Sequence, residues 1–336
     1  MANGIESLRR VQIGAEATQG TAAVCTTFLR GQGVPSDDTE HVFPAENIGI
    51  IPGTDRSYIA QQIGTLAYSG VLTFEQLHPF QAALNTSVAS ADGAGTGKVW
   101  EYILPTTSIN SASDLTTYTI RAGDNAGAEE MPFCFVPDFT IEGKYSEALM
   151  LSANFRGASW TASTFDGLSA SDLQAIEEIL FNKGKLYIDD ATSTIGTTQV
   201  SNTLLSMSIK VTTGWRAQPT ADGSLSFTLL KQVSPEAELT LVYEHNSSAV
   251  AEKAAWRAGT PRQIRLLFIG SALTTPGTAY TYKTFQINAA GRYSTFSSLS
   301  SDAGNDTVSC TFKIRYNADA LKFLEMLFVN QVATMP

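Results

Sequence analysis

The chain has 336 residues, of which 43% are hydrophobic and 16% charged, and it carries a net charge of −10. The length exceeds what one hydrophobic core usually serves, the apolar content excludes a disordered chain, and no run approaches the roughly 18 apolar residues of a membrane helix. Acidity is concentrated early: residues 1–165 hold 17 acidic and 8 basic side chains, residues 166–336 hold 15 and 14, which excludes a general attraction for nucleic-acid phosphates.

Along the chain, Arg9-Arg10 leads into VQIGAEATQG, too polar for a signal core, and Val24 before Cys25 spoils a lipoprotein site, so the N-terminus reads as mature. The run Ile13–Val24, IGAEATQGTAAV, is small-residue-rich with Glu16 its one charge, and reads as a pliable arm that lies extended across a neighbour. AYSGVLTFEQ (67–76) is a strand leading into a short helix over 77–85, with Pro79 in its first turn. DFTIEG (138–143) and ALMLSANFRG (148–157) alternate apolar and polar residues as half-buried strands do. The spacing predicts a helix over 171–182: Ser171 and Gln174 form a capping box, Leu173, Ile176, Ile179 and Leu180 share a face, and Gly184 follows. LSMSIKVTT (205–213), LSFTLL (225–230) and AELTLVYEH (237–245) are strands, and 247–258 is a helix with a Ser cap and Gly259 behind it. IRLLFIG (264–270), KTFQIN (283–288) and TVSCTFKIRY (307–316) are strands; in the last, Val308, Cys310, Phe312, Ile314 and Tyr316 share one face. Residues 319–328 fit a helix or a buried strand equally.

Chemistry-bearing patterns are sparse. Cys25, Cys134 and Cys310 have neither even count nor metal spacing, and His41, His78 and His245 are isolated. GAGTGKV (93–99) lacks the first glycine of a phosphate-binding loop, and Lys98 precedes Val99 instead of Ser or Thr. Asp189-Asp190, adjacent in a strand, point to opposite faces and read as a solvated turn entry. Asp37-Asp38 and Glu129-Glu130 lie in loop-like stretches without a nucleophile, and Trp100, Trp160, Trp215 and Trp256 are too dispersed for a sugar-stacking platform. No enzyme activity, metal or cofactor is expected.

The two halves echo each other. Phe139, Ile141 and Gly143-Lys144-Tyr145-Ser146 match Phe285, Ile287 and Gly291-Arg292-Tyr293-Ser294, and each half has a strand entering a short helix before that match and a long alternating strand after it. A duplicated β domain follows, with an arm over 1–34, a first domain over 35–168 and a second over 169–336.

The opening VQIGAEATQGTA (11–22), KGKLYIDDA (183–191) and the two G-[KR]-Y-S segments resemble the tail tube (major tail) proteins of long-tailed bacteriophages. The resemblance implies a mainly β chain of two tandem β-sandwich or barrel domains, each with a short helix. It implies trimeric, pseudo-hexameric rings stacked into the virion's tail tube, assembled from protein made in the host cytoplasm. The implied partners are the chain itself and other tail proteins such as tape measure, tail-tip and terminator proteins; DNA transits the bore without specific binding, and no membrane is involved. The loops at 49–66 and 214–225 are expected to reach the next ring, with Pro52, Asp55, Arg56, Tyr58, Trp215 and Arg216 as candidates. Asp138, Thr140, Glu142, Thr311, Lys313 and Arg315 are candidates for the lumen, where the first domain's acidity would keep DNA from adhering. Ile13, Glu16 and Gly20 mark the assembly arm. A baseplate or tail-terminator ring protein of the same fold, and a carbohydrate- or receptor-binding sandwich, are the alternatives.

Overall fold

The computed structural model describes residues 3–51, 55–84, 90–93, 95–106, 111 and 115–336. It is mainly β, with two α-helices among the described residues. The first half contains β1 (Arg10–Ala15), β2 (Thr27–Phe28), β3 (Gln32–Val42), β4 (Tyr58–Val71), α1 (His78–Gln81), β5 (Ser90–Ala91), β6 (Lys98–Ile103), β7 (Tyr118–Gly123), β8 (Ala128–Lys144), β9 (Met150–Gly157) and β10 (Thr161–Ser163). The second contains β11 (Gly184–Asp190), β12 (Gln199–Val200), β13 (Leu204–Thr212), β14 (Trp215–Gln218), β15 (Leu229–Gln232), β16 (Glu236–Glu244), α2 (Ser247–Arg257), β17 (Arg262–Ala272), β18 (Tyr282–Phe296), β19 (Ser300–Asp302), β20 (Asn305–Ile314) and β21 (Leu324–Asn330).

Every strand pairing is antiparallel, and the two halves connect their strands in one order. In the first, β2 pairs with β1, β1 with β7, β7 with β8, β8 with β9, β9 with β4 and β4 with β3. In the second, the same walk runs β12, β11, β17, β18, β20, β16, β13. The long strands β8 and β18 each serve two layers. The first part of β8 pairs with β7 and its last part with β9, across a bulge next to Phe133, whose φ of 59° is left-handed. β18 likewise pairs with β17 first and β20 last.

The halves join where Asp138–Lys144 of β8 lie opposite Ser206–Thr212 of β13. One continuous eight-stranded sheet results, in the order β3, β4, β9, β8, β13, β16, β20, β18. Its inner face is apolar: Leu66, Tyr68, Phe139, Ile141, Phe155, Ile209, Leu239, Leu241 and Phe312 are all buried. Those side chains pack on α1 and on the second layer, with Phe80 edge-on to Phe139 at 5.4 Å and Phe285 stacked on Phe328 at 4.4 Å. Each such side chain contributes about 1.5–3 kcal/mol by leaving water. A strand from the first half also completes the second: β6 pairs with β21, so Trp100 lies opposite Phe328.

Several sequence expectations are corrected. Residues 171–182 do not form a helix. The chain there has a 3-10 turn over Ala170–Asp172, whose capping box is formed by Ser169 and Asp172, then an extended stretch, then a second 3-10 turn over Phe181–Lys183. The stretch is held by tertiary bonds: Phe74 N donates to the Glu177 carbonyl, Ile179 N to Leu72, Leu149 N to Ile179 and Phe181 N to Glu147. Ile179 is fully buried there, and local propensity yields to that burial. The helix over 77–85 shortens to α1, with residue 85 outside the described residues. α2 stands where expected, but its cap is Asn246, whose side chain accepts from Ser248 N and Ala249 N. Residues 324–330 resolve the ambiguity at 319–328 as the buried strand β21. The G-[KR]-Y-S matches are not structural counterparts: Gly143–Ser146 leave the end of β8, whereas Gly291–Ser294 run within β18 opposite β20.

Candidate functional site

The outer face of the eight-stranded sheet carries the residues that alternate with the core. On β9 and β8, Ser152 lies opposite Thr140 and Asn154 opposite Asp138. Across the junction, Thr140 lies opposite Lys210, Glu142 opposite Ser208 and Asp138 opposite Thr212. Farther on, Lys210 faces Glu238, Glu238 faces Lys313, and Lys313 faces Arg292. Strand spacing of about 4.8 Å makes each of these a lateral neighbour. The result is a polar surface of hydroxyls and alternating charges spanning both halves.

Bonds across the face are few. Asn154 Nδ2 donates to Asp138 Oδ1 at 2.6 Å, and Ser208 Oγ donates to Glu142 Oε1 at 3.1 Å. An open cleft of about 740 Å³ at one end is lined by Lys210, Glu236, Glu238, Lys313, Arg315 and Tyr316, among others. All six lumen candidates therefore share one surface: Asp138, Thr140 and Glu142 on β8, Thr311 and Lys313 on β20, and Arg315 just past β20 on the cleft. Taken over both halves the surface is not acidic, although Asp138 and Glu142 outnumber Lys144 on the first half's strands. Asp138, Glu142, Glu236 and Glu238 alternate with Lys144, Lys210, Arg292, Lys313 and Arg315, because the less acidic second half supplies half of the strands.

The loop candidates separate. Pro52 lies outside the described residues. Asp55 is exposed, Arg56 pairs with Glu46 at the surface, and Tyr58 is exposed at the start of β4. Phe43, Ile48, Ile50 and Ile51 add exposed apolar side chains to the same connection. Trp215 is not available to another molecule, being only 2% exposed in a cluster with Leu115, Phe133, Phe135, Phe227 and Leu230. The β14–β15 hairpin folds back on the first half, where Gln62 N donates to the Leu225 carbonyl, and Arg216 stays exposed, as do Leu225, Leu229 and Lys231.

The arm expectation is corrected as well. Ile13 is fully buried in β1, opposite Ile120 of β7. Glu16 folds inward, its Oε1 accepting from Phe133 N at 2.7 Å and Thr119 Oγ1 at 2.9 Å. Its Oε2 accepts from Thr117 Oγ1 at 2.7 Å and Gly20 N at 2.9 Å. Gly20 takes a φ of +77° beside the Phe133 ring, where a Cβ would sit 3.2 Å from it. The pliable run is thus ordered by this chain's own carboxylate. Asp189 does the same in the second half: it is buried and accepts from Gly196 N at 2.7 Å, Thr197 N at 3.2 Å and Thr198 N at 2.8 Å. Asp190 pairs with Arg262 but its side chain is 65% exposed at the end of β11, so the solvated turn-entry reading fails for Asp189 and fits Asp190. An acid at or just past a strand end, with a run of small and hydroxyl residues after it, is the signal the two hubs share.

A buried ionic group pins the halves together. Lys283 Nζ lies 2.5 Å from Glu75 Oε1 and 3.1 Å from Glu177 Oε2. Burial pushes the Glu75 carboxyl up, whereas the bonds from Ser271 and Lys283 hold Glu177 below the usual carboxylate range despite its partial burial. Among the described residues no group of three or more His, Cys, Asp or Glu is placed to hold a metal ion. The sequence matches no known family model and no curated protein.

Proposed function

We propose that the chain is a structural subunit of a bacteriophage tail tube, built of two tandem β units and assembled as stacked three-copy rings through which DNA passes. The observation that carries this reading is the eight-stranded sheet itself. It presents one apolar and one continuous polar face across both halves, and it ends in β3 and in the end of β18 past Gly291, neither with a strand on its outer side among the described residues. Heterologous edge pairing that closes by rotation gives a ring and removes both edges.

Size selects the copy number. With strands about 4.8 Å apart and tilted by up to about 40°, three copies close at roughly 37–48 Å between backbones, and two at roughly 24–32 Å. Side chains take roughly 10 Å of either diameter, which leaves room for a hydrated duplex in the larger ring and not in the smaller. A wall of hydroxyls and balanced charge has no basic field to displace the counterions of DNA, and screening confines what field there is to about 8 Å at physiological salt.

A carbohydrate-binding sandwich that stacked sugars on tryptophans would expose them, but Trp100, Trp160 and Trp215 are buried and Trp256 is half-buried. Negative-stain microscopy of the purified protein tests the proposal. Long hollow tubes with three-fold rings are expected; isolated rings that never stack would instead favour a terminator or baseplate role, and a monomer at high concentration would overturn the reading.

A further inference from the structure

The join between the halves is a worked example of how this sheet extends itself, and its counterpart residues can be read off the shared register. Leu66 of β4 lies opposite Phe155 on one side and Pro35 on the other; Leu239 of β16 lies opposite Phe312 and Ile209. Pro35 therefore stands where Ile209 stands, Ser36 where Lys210 stands and Asp37 where Val211 stands. In the same way Phe139 lies opposite Ala153, two residues before Phe155, and Phe296 lies opposite Cys310, two residues before Phe312. Phe296 is thus the counterpart of Phe139, and Ser297 of Thr140.

Neither member of this second set has a strand on its outer side among the described residues: β3 pairs with β4, and the last residues of β18, past Gly291, pair with β20. Side chains reach both edges, Trp160 Nε1 donating to the Ser36 carbonyl and Trp256 Nε1 to the Ser294 carbonyl, both at 3.2 Å. Within the chain, Val211 lies opposite Phe139 and Lys210 opposite Thr140. From this register we infer that β3 of one copy pairs antiparallel with the end of β18 of a second copy, placing Asp37 opposite Phe296 and Ser36 opposite Ser297.

Two further observations fit a second copy. The β13–β16 connection buries Trp215, Phe227 and Leu230 against Phe133 and Phe135 across the internal join. The equivalent β3–β4 connection instead exposes Phe43, Ile48, Ile50 and Ile51, the last completely. Charge agrees too: where the internal join has Val211, β3 has Asp37 on the inward side, with Asp38 and Glu40 nearby. The receiving edge has Lys253 of α2, whose Nζ donates to the Ser297 carbonyl at 3.4 Å, and exposed Arg257 one turn on. Neither cation has a carboxylate partner among the described residues. Pro35 and the inward Asp37 would discourage pairing with an arbitrary strand and favour an edge that supplies a cation.

The inference rests on the tube reading only in naming the second copy, and two experiments separate them. Ser36→Cys with Ser297→Cys should yield intermolecular disulfides in the assembled protein, whereas the register control Ser36→Cys with Thr295→Cys should not. The two edges are roughly 34 Å apart across one chain's sheet, beyond any intramolecular disulfide. Asp37→Lys should lower assembly by about tenfold or more, and adding Lys253→Asp should restore it. Tubes that form with no Ser36–Ser297 cross-link, a preference for the control pair, or a double variant no better than Asp37→Lys would overturn the pairing and leave the tube reading standing. Cross-linked rings that never stack would support the pairing and overturn the tube. A protein that stays monomeric throughout overturns both.

Discussion

Replacing Glu16 by Ala removes a carboxylate that accepts four hydrogen bonds, all between 2.7 and 2.9 Å. A hydrogen bond to a charged group contributes about 1.5–3 kcal/mol net, but the four are not additive, because water admitted to the vacated space satisfies part of the site. Two of the donors are threonine hydroxyls that can turn to other acceptors, whereas Phe133 N and Gly20 N are fixed. Phe133 also holds a left-handed φ of 59°, which costs a residue with a Cβ about 1–2 kcal/mol and which the Glu16 bond helps to maintain. A loss of about 3–5 kcal/mol follows. Glu16→Gln should lose about 2 kcal/mol: in either orientation its amide group faces one fixed backbone N–H, while the rotatable threonines adapt. Urea denaturation followed by tryptophan fluorescence gives the magnitudes, and limited proteolysis over residues 16–24 reports release of the loop. A loss below about 1 kcal/mol for Glu16→Ala, with the loop still protected, would refute the account.

Deleting residues 1–24 should unfold the first half instead of merely blocking assembly, because β1 and Ile13 belong to its core; a folded truncation by circular dichroism would restore the arm interpretation. Trp215→Ala should cost about 3–5 kcal/mol and expose the β14–β15 hairpin to protease; a loss within about 0.5 kcal/mol would contradict its buried position. His78 is fully buried, its Nε2 3.3 Å from the Pro336 carbonyl and its Nδ1 unpartnered, and burial lowers its pKa to about 4. The unfolded chain binds that proton near pH 6.5, so the stability associated with neutral His78 is complete above that pH and falls as pH drops toward 4. His78→Gln should flatten the dependence of Tm on pH across that window, and an unchanged slope would count against it. Asp138→Lys with Glu142→Lys should leave tube assembly intact and slow DNA ejection; unchanged ejection kinetics would remove the electrostatic role of the face.

Alternation made the sheet legible. In β20, Val308, Cys310, Phe312 and Ile314 are buried while Lys313 is exposed, as their spacing requires. That Asp138, Thr140, Glu142, Thr311, Lys313 and Arg315 share one polar face was legible for the same reason, since period-two patterning separates the faces of a strand without knowledge of its neighbours. Partners are another matter. The match of Gly143–Ser146 to Gly291–Ser294 failed because alternating strands resemble one another at every even offset, and only pairing fixes the register. The 171–182 segment has the spacing of a helix, yet the carbonyls of Leu72 and Glu147 and the amide of Leu149 claim its backbone. The loop position of Trp215 suggests an exposed contact residue, but the β14–β15 hairpin folds onto Phe133 and Phe135, some eighty positions earlier, and buries it.

The pairing of β6 with β21 fixes an order of events during synthesis. Lys98–Ile103 leave the ribosome early, yet their partner is Leu324–Asn330, and Trp100 Nε1 donates at 3.2 Å to the Val332 carbonyl beyond it. Until those late residues emerge, β6 has only the two-residue β5 beside it among the described strands, and contacts of such separation close slowly. This pairing therefore waits until translation has passed Asn330. A nascent chain stalled between the two would expose the segment a chaperone must shield, and the two halves cannot be separated by cutting between them without leaving the second one strand short.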